Sequence, residues 1–292
     1  MKWTNKKNLP EPICAAIRAQ ATSHKVPEGC YLSCTSLIGP PLIRRLKALF
    51  DDQIEVDYSD CVWLLDGSCA HETFASAADE MGDDAALISE QTFKMSFDVP
   101  NIGIVNISFK PDVVYHDGHL DDYKKTSVFK IQKIPVEGVD HTWIAQLNLY
   151  AVAANQGFMG LGNKLVKPVN KLSVWAWMRD WGPRYSKVSD TSFLEIPIPL
   201  WGTGEVINYA TERIILHKQA DAAADATGIA PCTPIERWCK PSDRDSKPFI
   251  PGPRCSGKRD GNGYCGVAKF CPYLKEYQEM KGGERKGEVE EL

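Results

Sequence analysis

The sequence predicts an α/β protein in which helices flank a central mixed sheet, followed by a cysteine-rich C-terminal region. Three observations carry this expectation. Strand-like segments gather between residues 91 and 124 and return at 171–178, amphipathic helical segments precede and follow them, and residues 231–272 hold seven prolines, five glycines and five cysteines with little periodicity.

Taken in order, Pro41 opens PLIRRLKALF, which places Leu42, Leu46, Leu49 and Phe50 on one helical face and leaves Arg44, Arg45 and Lys47 on a solvated one. A second helix is expected from Leu64 to about Glu80, with His71 and Phe74 near its middle. Gln91–Asp98, Gly103–Phe109, Asp112–Tyr115 and Leu120–Lys124 read as strands separated by turn chemistry such as Asp117-Gly118. Thr142–Asn155 reads as a helix, Lys171–Met178 as a strand and Gly204–Ala224 as a long helix.

Composition narrows the function classes. The 292 residues are 43% hydrophobic and 25% charged, as in an ordinary globular protein, and the formal charge of −4 argues against broad coating of nucleic acid. The opening MKWTNKKNLPEP lacks the apolar run of a signal peptide, and no segment reaches the roughly 18 apolar residues that a membrane span needs. The expected setting is therefore the cytoplasm with no membrane partner, where grouped cysteines bind metal more often than they form disulfides. The ten cysteines form two groups, Cys14 to Cys69 and Cys232 to Cys271. Cys14, Cys61 and Cys69 lie on apolar segments and read as small buried hydrophobes.

The densest chemistry lies between Phe109 and Ser127. Asp122 and Lys124 are two apart on a strand and share a face, whereas Asp121 and Tyr123 point the other way. A two-residue Asp117-Gly118 loop would put Asp112 on the face opposite Asp122. A three-residue loop, Asp117-Gly118-His119, would pair Asp112 with Lys124 and bring Asp112, Asp122 and Lys124 together, and this register or an equivalent bulge is the one expected. Two adjacent carboxylates repel unless a cation sits between them, and hard oxygen ligands favour Mg²⁺ or Mn²⁺.

Pro111-Asp112 followed by Asp122-Tyr123-Lys124 resembles the RecB-like branch of the PD-(D/E)XK nuclease superfamily over about residues 33–180. His71, four residues after Gly67, corresponds to that branch's His on a preceding helix, and Gln146 to Tyr150 corresponds to its Gln-x-x-x-Tyr helix. The resemblance implies a PD-(D/E)XK nuclease-like core in which His71, Asp112, Asp122 and the backbone carbonyl of Tyr123 bind the metal. Lys124 would handle the nucleophilic water, with Gln146 and Tyr150 positioning the DNA backbone. Lys125 stands where the family often has Thr, so no role passes to Thr126.

Some RecB-like nucleases, including CRISPR-associated and phage-type exonucleases, hold a [4Fe–4S] cluster with one cysteine before the core and three after it. By that resemblance Cys34 joins Cys255, Cys265 and Cys271, with Cys30 as the rival first ligand. The nine-residue gap from Cys255 to Cys265 departs from the family's short one, and a Zn²⁺ site using Cys232 or Cys239 is the alternative.

The expected organisation is an N-terminal helical segment at 1–32, a nuclease domain at 33–230, a cysteine-rich region at 231–280 and a disordered tail at 281–292. The expected activity is Mg²⁺- or Mn²⁺-dependent hydrolysis of DNA, single-stranded or with free ends, by an exonuclease that a helicase or recombinase accompanies. The alternatives are a structure-selective endonuclease and a non-catalytic nucleic-acid-binding or partner-binding protein with a structural metal.

Overall fold

A computed structural model of the chain describes residues 1–23, 25–81, 87–157, 167–240, 242, 244, 249–256 and 264–290. Among these residues no helix is long and apolar enough to cross a membrane. The chain divides into two compact units, one of residues 1–2, 39–55 and 214–292 and the other of residues 3–38 and 56–213. The division departs from the expected one: residues 3–32 belong with the sheet-bearing unit, and the unit that holds the cysteine-rich region also recruits residues 39–55.

The sheet-bearing unit begins with helix α1 (Glu11–Ser23), strand β2 (Leu32–Ser33), helix α2 (Cys34–Ile38) and helix α4 (Val62–Met81). Strands β4 (Leu87–Ser89), β5 (Phe93–Val99), β6 (Gly103–Phe109), β7 (Val113–Tyr115) and β8 (His119–Thr126) follow. Helices α5 (Val128–Glu137) and α6 (His141–Gly157) lead to strands β9 (Lys171–Met178) and β10 (Phe193–Ile198). The result is an α/β fold with mixed sheets, as the sequence predicts. One sheet has the order β10-β9-β8-β7-β4, with β8 and β9 parallel, and a second has the order β2-β6-β5.

Helix α6 packs against strands of both sheets, which explains why its hydrophobic residues are not confined to one face: Ala145, Leu147, Leu149, Ala151 and Ala153 are all buried. Leu172, Val174 and Ala176 on β9 and Ile196 and Ile198 on β10 fill the sheet face toward it. Cys14 and Ile17 of α1 form a small cluster with Tyr58. Of the three cysteines expected to be buried, only Cys14 is; Cys61 is half-buried and Cys69 is exposed on α4.

In the other unit, α3 (Pro41–Leu49) buries Leu42 and Leu46 as expected. Its cations are not a solvated face, however. Arg44 pairs with Asp221 at 2.5 Å and Arg45 donates to the Ala223 carbonyl at 3.1 Å, both on or just past α7 (Thr203–Ala222), and only Lys47 stands exposed. Among the described residues of 231–272 regular structure is sparse, with the short helix α8 (Pro253–Ser256) and a 3-10 turn at 268–270, in line with their proline and glycine content. Residues 281–290 of the expected tail continue α9 (Pro272–Glu290), and 291–292 lie outside the described residues.

Candidate active site

The site forms where a strand loses its neighbour. The antiparallel ladder between β7 and β8 covers only Val113 with Asp121 and Val114 with Leu120, whereas the parallel ladder between β8 and β9 continues from His119 to Thr126. Beyond Asp121, β8 therefore opens a gap on the β7 side. The Asp112 carboxylate enters that gap and accepts the Tyr123 N–H at 2.7 Å, in place of a ladder partner. In a strand the N–H and C=O of one residue point to the same side, so the Tyr123 carbonyl also faces the gap.

The hairpin register differs from the expected one by two residues, and the difference has a local cause. The loop is His116-Asp117-Gly118 rather than Asp117-Gly118-His119, with Gly118 at φ +93° in third position. A three-residue loop needs its left-handed residue there, and a Cβ on Gly118 would lie 2.4 Å from the Pro168 carbonyl oxygen, so only glycine fits. Asp117 Oδ1 fixes the turn by accepting the His119 N–H at 3.1 Å. A shift of two preserves the parity of the strand, so the expected grouping of Asp112, Asp122 and Lys124 survives although Asp112 does not pair with Lys124.

Asp122 is fully buried, and Lys124 Nζ lies 2.6 Å from its Oδ2, yet neither carboxylate oxygen receives a well-aligned hydrogen bond. Burial pushes the Asp122 carboxyl up to about 6, opposed by the Lys124 charge and assisted by Asp112. Burial works against the Lys124 ammonium, but Asp122 and Asp112 outweigh it and raise its pKa. A buried carboxylate with unused acceptors is costly, and a cation beside it would recover that cost.

His71 reaches the same gap from α4. Its Nδ1 lies 3.4 Å from Asp112 Oδ1 and 3.7 Å from Glu90 Oε1. Hydrogen bonding to Asp112 and then Glu90 raises the imidazole to about 10, which favours its protonated form between the two carboxylates. One ligand atom from each of His71, Glu90 and Asp112 falls within 4.8 Å of the others, a spacing that fits a divalent ion.

Glu90 is the residue that sequence reasoning missed. It sits at φ +51° just after β4, its N–H donates to the Asp112 carbonyl at 3.0 Å, and its side chain pairs with Lys110. Hydrogen bonds from His71 and Lys110 hold its carboxyl below the usual range even though burial opposes them. A left-handed glutamate is invisible to motif reading; the only hint was an isolated acid one residue before a strand-like run.

Gln146 and Tyr150 lie one turn apart on α6, and Gln146 Nε2 donates to Tyr150 Oη at 2.9 Å. Both are buried, and Tyr150 is close enough to Cys34, Asp122 and Asp112 to feel their charges. They back the carboxylates from inside rather than presenting an open contact surface for DNA. Burial raises the Tyr150 hydroxyl well above its ordinary value, so it stays a neutral partner.

Cys34 is placed differently from its expected role as a cluster ligand. It is buried at the start of α2 beside Asp122 and Lys124, and burial, with Asp122 adding, drives its thiol above the ordinary range. Cys255, Cys265 and Cys271 instead line a cavity in the other unit together with Cys232, closed by Leu42 and Leu46 of α3. Cys232, which the sequence reading places in the alternative zinc set, is the cysteine that the chain after α7 returns to the cavity of the three later ones. Burial raises the thiols of Cys232, Cys255 and Cys271, and the Arg237 guanidinium opposes this at Cys255 and Cys271. Cys239 is buried but does not line the cavity.

Fold and site together define an α/β protein with a His-carboxylate group set in a gap of its mixed sheet. The chain superposes on a solved structure described as "Crystal structure of SSO0001" with a TM-score of 0.51 and 13% identity, over 90% of this chain and 95% of that one. At that identity the likeness is one of fold. No family model matches the sequence, and no curated protein matches it.

Proposed function

We propose that the protein is a divalent-metal-dependent nuclease of the RecB-like PD-(D/E)XK type that hydrolyses phosphodiester bonds from DNA ends. The observation that carries this reading is the gap beside β8, where two carboxylates, a lysine and a histidine converge on space that no ladder partner fills. Asp112, Asp122, His71 and the Tyr123 carbonyl would hold Mg²⁺ or Mn²⁺, and Glu90 extends the set beyond what the sequence suggested. The orphaned oxygens of Asp122 and the spacing of His71, Glu90 and Asp112 fit such an ion. When bound, the metal supplies Lewis acidity to a water and to the phosphoryl oxygen.

The protein's own groups then have separate tasks. Lys124, held at Asp122, directs its ammonium to the attacking water and to charge that develops on the phosphoryl group. Asp112 fixes the local strand geometry through the Tyr123 N–H while it offers its other oxygen to the cation and His71. Gln146 orients the Tyr150 hydroxyl behind the carboxylates.

The cysteine cavity supports a second, separate metal centre. A tetrahedral tetrathiolate zinc keeps its sulfurs roughly 3.8 Å apart, given a Zn–S bond of about 2.3 Å. The four thiols line one cavity, and a tetrathiolate ring of this kind holds either one Zn²⁺ or the larger [4Fe–4S] cluster, which is the reading proposed. Cys232, Cys255, Cys265 and Cys271 would hold it, and its task is to staple a segment poor in secondary structure.

The test of the nuclease reading is cleavage of DNA labelled at either end in Mg²⁺ or Mn²⁺. Asp122→Ala and Lys124→Ala are expected to lose at least about a hundredfold in rate while keeping the wild-type far-ultraviolet circular dichroism spectrum. Cleavage by both variants at the wild-type rate would sink the reading. Release of mononucleotides from one end identifies an exonuclease, and internal fragments identify the endonuclease alternative.

A further inference from the structure

The sheet face opposite α6 carries an aromatic surface that the catalytic reading does not use. Strand parity puts Tyr123 and Lys125 of β8, Trp175 and Trp177 of β9 and Phe193 of β10 on this face, in register across three strands: Tyr123 beside Trp175, Lys125 beside Trp177, and Trp177 beside Phe193. On the α6 side the same strands present the buried aliphatic residues Leu172, Val174 and Ala176. Helix α4 covers part of this face through Phe74, which packs on Tyr123, Trp177 and Phe193, and the rings are still only half-buried or exposed.

The rings are ordered. Trp177 and Phe193 stack at 5.4 Å with an interplanar angle of 19°, and Phe74 of α4 lies 4.7 Å from Tyr123. Lys125 Nζ lies 4.6 Å from the centre of the Trp177 ring, and Trp175 Nε1 donates to Asp121 at 3.2 Å. Phe193 remains 37% exposed, and Trp175, Trp177 and Tyr123 are only half-buried. These rings line a groove whose wall also includes His71 and Lys124. The groove thus runs from the aromatic face to the proposed metal site.

We propose that this groove is a stacking platform for unpaired bases, which makes single-stranded DNA the substrate that enters the site; the inference rests on the nuclease reading above. Bases inside a duplex spend both faces on each other and cannot stack on a protein ring, whereas unpaired bases can, whatever their sequence. Lys125, which pairs with Asp66 at 2.7 Å, is the cation on this face that a phosphate would have to draw from its carboxylate partner. Because neighbouring rings and hydrogen bonds already fix the side chains, little side-chain freedom is lost on binding.

The experiment measures binding apart from cleavage. Full-length protein in EDTA is titrated into labelled oligothymidylate about 12 nucleotides long, and into a blunt duplex of the same length, with anisotropy as the readout. Phe193→Ala and Trp177→Leu are each expected to weaken oligothymidylate binding about tenfold and to leave duplex binding and the melting temperature unchanged. Phe193→Ala alters a side chain that is already exposed, and Trp177→Phe keeps a ring and should retain affinity. Unchanged oligothymidylate affinity in both variants, equal losses on the duplex, or no saturable oligothymidylate binding by the wild type would overturn the platform. Base-dependent binding by a protein that never cleaves would support the platform while defeating the nuclease reading; cleavage of single strands at wild-type rate and affinity by both variants would do the reverse.

Discussion

Charged residues that are short of solvent in this protein are held by one of two devices. Asp122 is buried with little hydrogen bonding and is answered by a single lysine, the arrangement of a group that awaits a cation. Asp57 is buried with every need met: its carboxylate accepts from Thr4 Oγ1 at 2.8 Å, Lys6 N–H at 2.7 Å, and Ser59 N–H and Oγ at 3.0 and 2.6 Å. Those hydrogen bonds, Ser59 Oγ foremost, hold Asp57 below the usual carboxylate range. A depressed folded pKa stabilises above the unfolded value and loses that stabilisation as protons arrive, so the contribution is complete above about pH 4 and fades below it. The Asp57→Asn variant should therefore be less stable than wild type at pH 6, with the difference shrinking as the pH is lowered through 4 toward 2. Urea unfolding at a series of pH values measures this, and a constant difference would refute it. Of these residues the sequence exposed Asp112, Asp122 and Lys124, because strand parity is written in residue spacing. Glu90 was hidden because its place depends on a left-handed backbone that no spacing announces.

Elements were legible where one periodicity ruled them. Strands β5, β6 and β9 and helix α4 lie close to their expected bounds, since alternation or amphipathic spacing follows from a single buried face. Hairpin register was less legible, because it is decided by the turn and by what the turn packs against. Gly118 answers to both, through its φ of +93° and the nearness of the Pro168 carbonyl. Gly118→Ala should destabilise by about 2–4 kcal/mol, from left-handed strain together with displaced backbone. Thermal or urea unfolding reads that loss, and a variant within about 0.5 kcal/mol of wild type would show that the turn tolerates another geometry. Helix α5 was missed because Pro135 inside it signals a break, yet the helix ends only three residues later at the Gly138 cap.

At the scale of the whole molecule, the His-carboxylate group and the cysteine cavity occupy different units of the chain. The carboxylates, His71 and Lys124 all belong to the unit of residues 3–38 and 56–213, and the four cavity cysteines to the other. Composition singled the cysteines out as a group, but only tertiary structure decides which four line one cavity, since whether Cys34 or Cys232 joins the three later ones turns on how the chain returns after α7. Cys232→Ser should remove the broad visible absorbance near 400 nm that a thiolate-ligated cluster gives, and increase protease cutting within residues 231–272. Cys34→Ala should leave both unchanged, and loss of absorbance in that variant would restore the expected ligand set.

The gap beside β8 has a genetic consequence. Two of the groups that shape it, the Tyr123 N–H and the Tyr123 carbonyl, belong to the main chain, so no exchange of side chain at position 123 other than to proline deletes either of them. Alanine scanning is blind to such groups. What can displace them is an inserted or deleted residue in the three-residue turn at 116–118, which would slide β8 by one step and turn Asp122 and Lys124 to the aromatic face of the sheet.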